Sequence, residues 1–141
     1  FENTKQLREK VKSITEENLL GISTDVDGDR FAVVDKDGER STTYKKLDKL
    51  SGRVAAFLKK KGFQKEDLIA INLEKSMEYI VVELAVMKAG IAFVPLSDSM
   101  GQERITHVLK DSGAKLVFGT AIWEEAMEYE PLGEEEWADS D

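Results

Sequence analysis

Along this chain the apolar positions fall first at helical spacing and then at strand spacing. Leu7, Val11 and Ile14 recur at i, i+4 and i+7, which predicts an amphipathic helix from Thr4 to about Glu17. Phe31-Ala32-Val33-Val34-Asp35 predicts a strand, Asp37-Gly38 a hairpin turn, and Ser41-Thr42-Thr43 a short returning strand. Thr43 is placed to cap a helix whose apolar face is Leu47, Leu50, Val54, Phe57 and Leu58. Gly62 stands where that helix would end, after Lys59-Lys60-Lys61, cations suited to the negative end of a helix dipole.

The pattern then changes. Leu68-Ile69-Ala70-Ile71-Asn72-Leu73 is a nearly continuous apolar run of strand length, as in a parallel strand buried on both faces. Ser76 is placed to cap a helix through Met77, Ile80, Val81, Leu84 and Met87 that Gly90 closes; its two methionines fall on core spacing. Ala92-Phe93-Val94 predicts a short strand stopped by Pro95. Ser99 with Gln102 forms a capping-box pattern that opens a helix with Ile105, Val108 and Leu109 inside and Gly113 at its end. Lys115-Leu116-Val117-Phe118 predicts the last strand. A hairpin followed by alternating helices and strands predicts an α/β fold with parallel strands and right-handed crossovers.

At 141 residues there is room for one domain. The absence of Cys removes disulfides and thiolate-ligated zinc, and no apolar run approaches the ~20 residues that cross a bilayer. No charged-then-apolar leader opens the chain, so no signal peptide and a cytoplasmic setting are expected. The first residue is Phe, so a processed or excised piece is expected. Charge is uneven. Residues 121–141 hold nine acids and no Lys or Arg, leaving 19 acids against 20 bases in residues 1–120. A solvated surface segment is the simplest reading of that acidic run, and recruitment of a basic partner the alternative, although Trp123, Tyr129 and Trp137 interrupt it. With no basic stripe evident in the sequence as a whole, nucleic acid is not an expected partner, and neither is a membrane.

Familiar site chemistry is largely missing. No two of the ten glycines are two or five apart, which excludes both the dinucleotide fingerprint and the Walker phosphate loop. Gly21-Ile22-Ser23 begins a nucleophile elbow, but Asp25 stands where the closing Gly belongs. Asp25, Asp27 and Asp29 hint at a calcium loop, yet Gly28 is at position four and Lys36 occupies position twelve. His107 flanks the Ile105/Val108 face and has no catalytic partner in the sequence, so a structural histidine is expected. No catalytic, cofactor-binding or metal residue is therefore assigned.

Two segments carry a family resemblance. Thr42-Thr43-Tyr44-Lys45-Lys46-Leu47 resembles the T-Y-x-E-L element of the adenylate-forming (AMP-binding) enzymes, with Lys46 in place of the acid. Met87-Lys88-Ala89-Gly90-Ile91-Ala92-Phe93-Val94-Pro95-Leu96 is similar to their L-K-A-G-x-A-Y-V-P-[IL] element, in the wording of nonribosomal peptide synthetase adenylation domains. Asp67–Ile71, Glu103-Arg104-Ile105 and Asp111–Val117 follow in family order, so the resemblance covers about residues 28–120. Ser97-Asp98 and Gly101 depart from the family's Asp-Pro and second Pro.

The resemblance implies that residues 1–120 form part of the large N-terminal α/β subdomain. Residues 121–141 would be an acidic segment that stops before the phosphate loop. The parent would use ATP and Mg²⁺ to make an aminoacyl adenylate and would load it on the phosphopantetheine thiol of a carrier protein. The matched segments would be scaffold, and the fragment alone would bind no cofactor and be inactive. Its partners would be the rest of the adenylation domain and the carrier protein, with self-association of the isolated piece through an open sheet edge. The alternatives are an acyl- or aryl-CoA ligase and a free-standing receiver-type α/β module, whose acidic strand ends Asn72 and Pro95 supply poorly.

Overall fold

The computed structural model describes residues 21–24, 30–35, 38–74, 76–97 and 99–131. The expected helix over Thr4–Glu17, the Asp25–Asp29 turn and the end of the acidic segment lie outside the described residues.

An antiparallel sheet comes first, with strands β1 (Gly21–Thr24), β2 (Arg30–Asp35) and β3 (Gly38–Thr43) in that order. Asp35 pairs with Gly38 and Arg30 with Thr43, so β3 begins earlier than the sequence pattern indicates and Gly38 belongs to the ladder. β1 carries no strand pattern of its own; pairing of Gly21 with Val34 and Thr24 with Phe31 makes it one.

Helix α1 (Tyr44–Lys60) follows directly, and the Thr43 hydroxyl accepts the Lys46 amide at 3.1 Å, as a cap should. The remaining elements are β4 (Leu68–Ile71), α2 (Met77–Ala89), β5 (Ala92–Pro95), α3 (Gln102–Ser112), β6 (Val117–Phe118) and α4 (Thr120–Ala126). The second sheet is parallel, in the order β5-β4-β6, as the apolar runs predict. Its backbone pairing extends past the ends of β6, since Lys115 N–H donates to the Leu68 carbonyl at 2.8 Å and Asn72 N–H to the Phe118 carbonyl at 2.9 Å.

Each β4 side chain has an assigned face. Ile69 and Ile71 join Phe118 and the buried residues of α1 and α2 in one core, to which Val33 of β2 also belongs. Phe57 meets the Phe118 ring edge-on at 6.3 Å. Ala70, one step out of phase, forms a row with Val94 and Val117 on the opposite face. That second face is thinly covered: α3 buries no residue fully, and Val117 is 39% exposed.

Several sequence expectations need correction. Met87 is 73% exposed rather than packed, because α2 is apolar around most of its circumference and spacing alone cannot choose its inner face. Ile105, Val108 and Leu109 are only half-buried. Gly101, not Ser99, is the N-cap of α3, and the Ser99 hydroxyl lies 2.7 Å from that of Ser97 instead. Ser76 is the N-cap of α2, but its hydroxyl donates to the Glu74 carbonyl at 3.0 Å rather than capping the helix. Gly90 and Gly113 do close their helices, both in the left-handed conformation with φ of 74° and 70°.

Candidate functional site

The crossover β4-α2-β5 runs one way across the sheet, and β5-α3-β6 runs back past β4 to its far side. Right-handed crossovers place α2 and α3 on opposite faces. The connections leaving β4 and β5 therefore diverge at the carboxyl ends of adjacent strands, where open α/β sheets bind ligands. Here that rim consists of Asn72, Leu73 and Glu74 after β4, Leu96 and Ser97 after β5, and Gly119 after β6.

The rim is firmly built but chemically sparse. The Leu96 amide donates to the Ile71 carbonyl at 2.9 Å, and Gly119 lies against the Asn72 carbonyl, where an added Cβ would sit 3.7 Å away. Asn72 is exposed, and Ser97 and Ser99 bond to each other. No His, Lys or carboxylate is paired with a nucleophile at this rim among the described residues. Nor do three or more His, Asp or Glu converge as a metal site there or elsewhere among them. As described, the rim is a platform of backbone groups with Asn72, Ser97 and Ser99 as its small polar side chains.

His107 is exposed on α3, in a shallow open depression with Gly101, Glu103, Arg104, Thr106 and Lys110. All six come from one helix and its cap, so the depression has no opposing wall. Ser23 lies in β1 with its backbone opposite Ala32. Asp25, Asp27 and Asp29 lie outside the described residues.

The motif segments tie elements together. Tyr44 and Lys45 open α1 at the end of β3, while Lys88, Gly90 and Ala92–Pro95 carry the chain from α2 into β5. The Lys88 side chain is only 11% exposed; it donates to the Asp48 carbonyl at 2.9 Å and pairs with the Asp48 carboxylate, fastening α2 to α1. Arg40 of β3 reaches Glu78 of α2 at 2.6 Å, joining the two sheets' elements. Partial burial pushes the Glu78 carboxyl upward, but hydrogen bonds from Arg40, its own amide and Ser76 outweigh it and hold the pKa below the usual range. Burial, with the Glu83 charge adding to it, raises the Tyr79 phenol. At the amino end of β4, hydrogen bonds from Lys115 and the Gln64 amide lower the Asp67 carboxyl. Sequence reasoning missed the Lys88–Asp48 and Arg40–Glu78 links, since charges 40 and 38 residues apart leave no pattern.

Comparison with known proteins fits this scaffold. A family model described as AMP-binding enzyme matches residues 23–138. The chain is 38% identical over 89 residues to a linear gramicidin synthase of Brevibacillus parabrevis, covering 63% of this chain and 2% of that protein. It is 42% identical over 80 residues to surfactin synthase subunit 2 of Bacillus subtilis (strain 168), covering 57% of this chain and again 2% of the relative. Among solved structures, the N-terminal subdomain of Klebsiella oxytoca NpsA in complex with anthranilyl-AMSN is similar at 32% identity and a TM-score of 0.53, over 57% of this chain and 21% of that one. An artificially fused adenylation–PCP di-domain from the same organism, NpsA-ThdA, matches at 26% identity and a TM-score of 0.58, over 64% and 20%. The N-terminal domain of FACL13 from Mycobacterium tuberculosis has a TM-score of 0.63 over 72% of this chain and 32% of that one, but at 20% identity it speaks for the fold alone.

Proposed function

Because this chain belongs to the AMP-binding enzyme family, we propose that it contributes the first α/β portion of an amino-acid adenylation domain of a nonribosomal peptide synthetase. The domain joins ATP and an amino acid into an aminoacyl adenylate, releases pyrophosphate, and passes the acyl group to a phosphopantetheine thiol on a carrier protein. Mg²⁺ supplies charge stabilisation at the phosphates. This chain's own residues build the floor: β4, β5 and β6 present their carboxyl ends, and the Lys88–Asp48 link fixes α2 against α1. The cytoplasm, where ATP and carrier domains meet, is the setting that fits a chain without Cys.

The observation carrying the reading is the family match over residues 23–138 joined to synthase relatives at 38% and 42% identity. The similarity to NpsA-ThdA supports a carrier protein as partner. A receiver-type module is set aside by the family match.

The test is ATP–pyrophosphate exchange with the whole protein that contains this segment, Mg²⁺ and each proteinogenic amino acid, followed by acyl transfer to a carrier thiol. Exchange with one or a few amino acids is expected, and background exchange from residues 1–141 alone. Formation of a CoA thioester from an aliphatic or aryl acid, without amino-acid-dependent exchange, would overturn this reading in favour of a CoA ligase.

A further inference from the structure

The face of the molecule that carries α1 is divided by charge. Lys45, Lys46 and Lys49, at the amino end of α1, fall within about a third of its circumference at ~100° per residue. All three are exposed, and none pairs with an acid among the described residues. Asp48, the helix's one acid, lies off this stripe and is held by Lys88.

Beside the carboxyl half of α1 lies the opposite charge. Helix α4 and the turn after it are fastened there by three contacts. Glu125 pairs with Lys61 at 3.0 Å. Arg53 Nη1 donates to the Met127 and Tyr129 carbonyls at 3.1 Å and 2.9 Å. The Tyr129 ring meets Phe57 edge-on at 5.4 Å. Glu124, Glu128 and Glu130 of this segment are exposed, and no cation pairs with them among the described residues. Arg53, which anchors the acidic part, shares the bearing of the lysines and stands about 6–12 Å further along the helix axis. One face therefore sets three cations next to three acids.

A polyanion does not suit such a face, because Glu124, Glu128 and Glu130 repel what the lysines attract. A wholly acidic protein surface is disfavoured for the same reason. What fits is a surface on which the two signs run in the opposite order. The same face, turned half a revolution about an axis perpendicular to α1, is such a surface. We propose that two copies of this chain dock face to face through α1 and the α4 segment. Lys45, Lys46 and Lys49 of each copy then lie opposite Glu124, Glu128 and Glu130 of the other. The two-fold rotation makes each contact twice, and in each set the cations balance the acids. A contact built of exposed pairs is weak and screened by salt. That separates it from association through the apolar Met87 and Val117, which salt does not weaken.

Zero-length carbodiimide coupling in an equal mixture of unlabelled and heavy-isotope-labelled 141-residue chains, read by mass spectrometry, tests it. The expected products join Lys45, Lys46 or Lys49 to Glu124, Glu128 or Glu130, about half of them between a light and a heavy chain, since partners are drawn at random. Their yield should fall at least about fivefold between about 0.05 M and about 0.5 M salt. K45E/K46E/K49E and E124K/E128K/E130K should each lose these products, and an equal mixture of the two variants should regain coupling at the same positions. Both reversals suit the fold, since they place acids near the start of α1 and cations near the end of α4. The Lys61–Glu125 product within one chain reports that the α4 segment is in place in every sample. Absence of light–heavy products while that control forms would overturn the proposal. So would a yield indifferent to salt, or coupling of the three lysines to residues 134–141 of their own chain instead. A duplex oligonucleotide or a poly-Glu peptide held by these lysines, with no light–heavy product, would overturn it in favour of a polyanion or an acidic partner.

Discussion

Residues 120–131, helix α4 and the turn after it, form a strap that Arg53 ties to α1, and replacing Arg53 with Met should release it and leave the core standing. The guanidinium makes two hydrogen bonds, 3.1 Å and 2.9 Å long, to the carbonyls of Met127 and Tyr129. Hydrogen bonds to a charged group contribute about 1.5–3 kcal/mol each, but these two share one nitrogen and their acceptors regain water once freed. About 2–3 kcal/mol is therefore the expected loss, partly offset because Met retains the packing of the aliphatic stem. Residues 120–131 stay held by the Lys61–Glu125 ion pair at 3.0 Å, the Lys60–Tyr129 contact, burial of Ala126 and partial burial of Ile122, Trp123, Met127 and Tyr129. Local opening of that segment should rise by about 30- to 160-fold. Amide hydrogen exchange reads it directly: Trp123, Met127 and Tyr129, bonded to Gly119, Trp123 and Ala126, should exchange faster by that factor. The amides of Ala70 and Asn72, bonded across to the Leu116 and Phe118 carbonyls, should change by far less. Equal acceleration at all five amides would refute the reasoning, because the strap would then be inseparable from the sheet; so would acceleration under about threefold at the strap.

Other perturbations follow from the same contacts. Lys88→Met should cost about 1.5–3 kcal/mol in urea unfolding, and Asp48→Asn less, because Asp48 is exposed and rehydrates while Lys88 is nearly buried. Gly113→Ala should cost about 1–2 kcal/mol through backbone strain alone, since φ is 70° and open space surrounds the position; thermal unfolding measures it. Asp67 and Glu78 both have lowered pKa values in the folded chain. Their contribution to stability is whole above about pH 5 and drains away as pH falls through those lowered values. Urea midpoints in the acid range should consequently depend less on pH in Asp67→Asn. The isolated chain should self-associate through the exposed Met87 and Val117, and Val117→Lys should reduce the mass seen by light scattering at high concentration.

The parallel half of the fold was legible because burial on both faces writes itself as an unbroken apolar run, as in Leu68–Ile71. The amphipathic α1 was legible down to its cap, since its stripe and Thr43 agree. β1 was not, because Gly-Ile-Ser-Thr becomes a strand only through the neighbour it pairs with. Met87 misled for the opposite reason: a helix apolar all round has no face to read. At the candidate site the sequence pointed to a scaffold role for Met87–Leu96, a stretch that the structure runs from the end of α2 through β5, whereas the contact of Arg53 with the segment after α4 joins residues 74 and 76 apart and leaves no local signature.

The placing of β4 between β5 and β6 has a consequence for synthesis. The central strand leaves the ribosome first, and both of its neighbours come later in the sequence. At roughly 5–20 residues per second, the 46 residues from Ile71 to Val117 take about 2–9 s, during which the β6-facing edge of Leu-Ile-Ala-Ile has no mate. A bare apolar edge invites the wrong strand, most of all on a polysome where identical nascent chains lie close together. The residues beside that edge are Lys65, Glu66 and Asp67 on one side and Glu74 on the other. These charges act as gatekeepers for a strand that must wait for both partners.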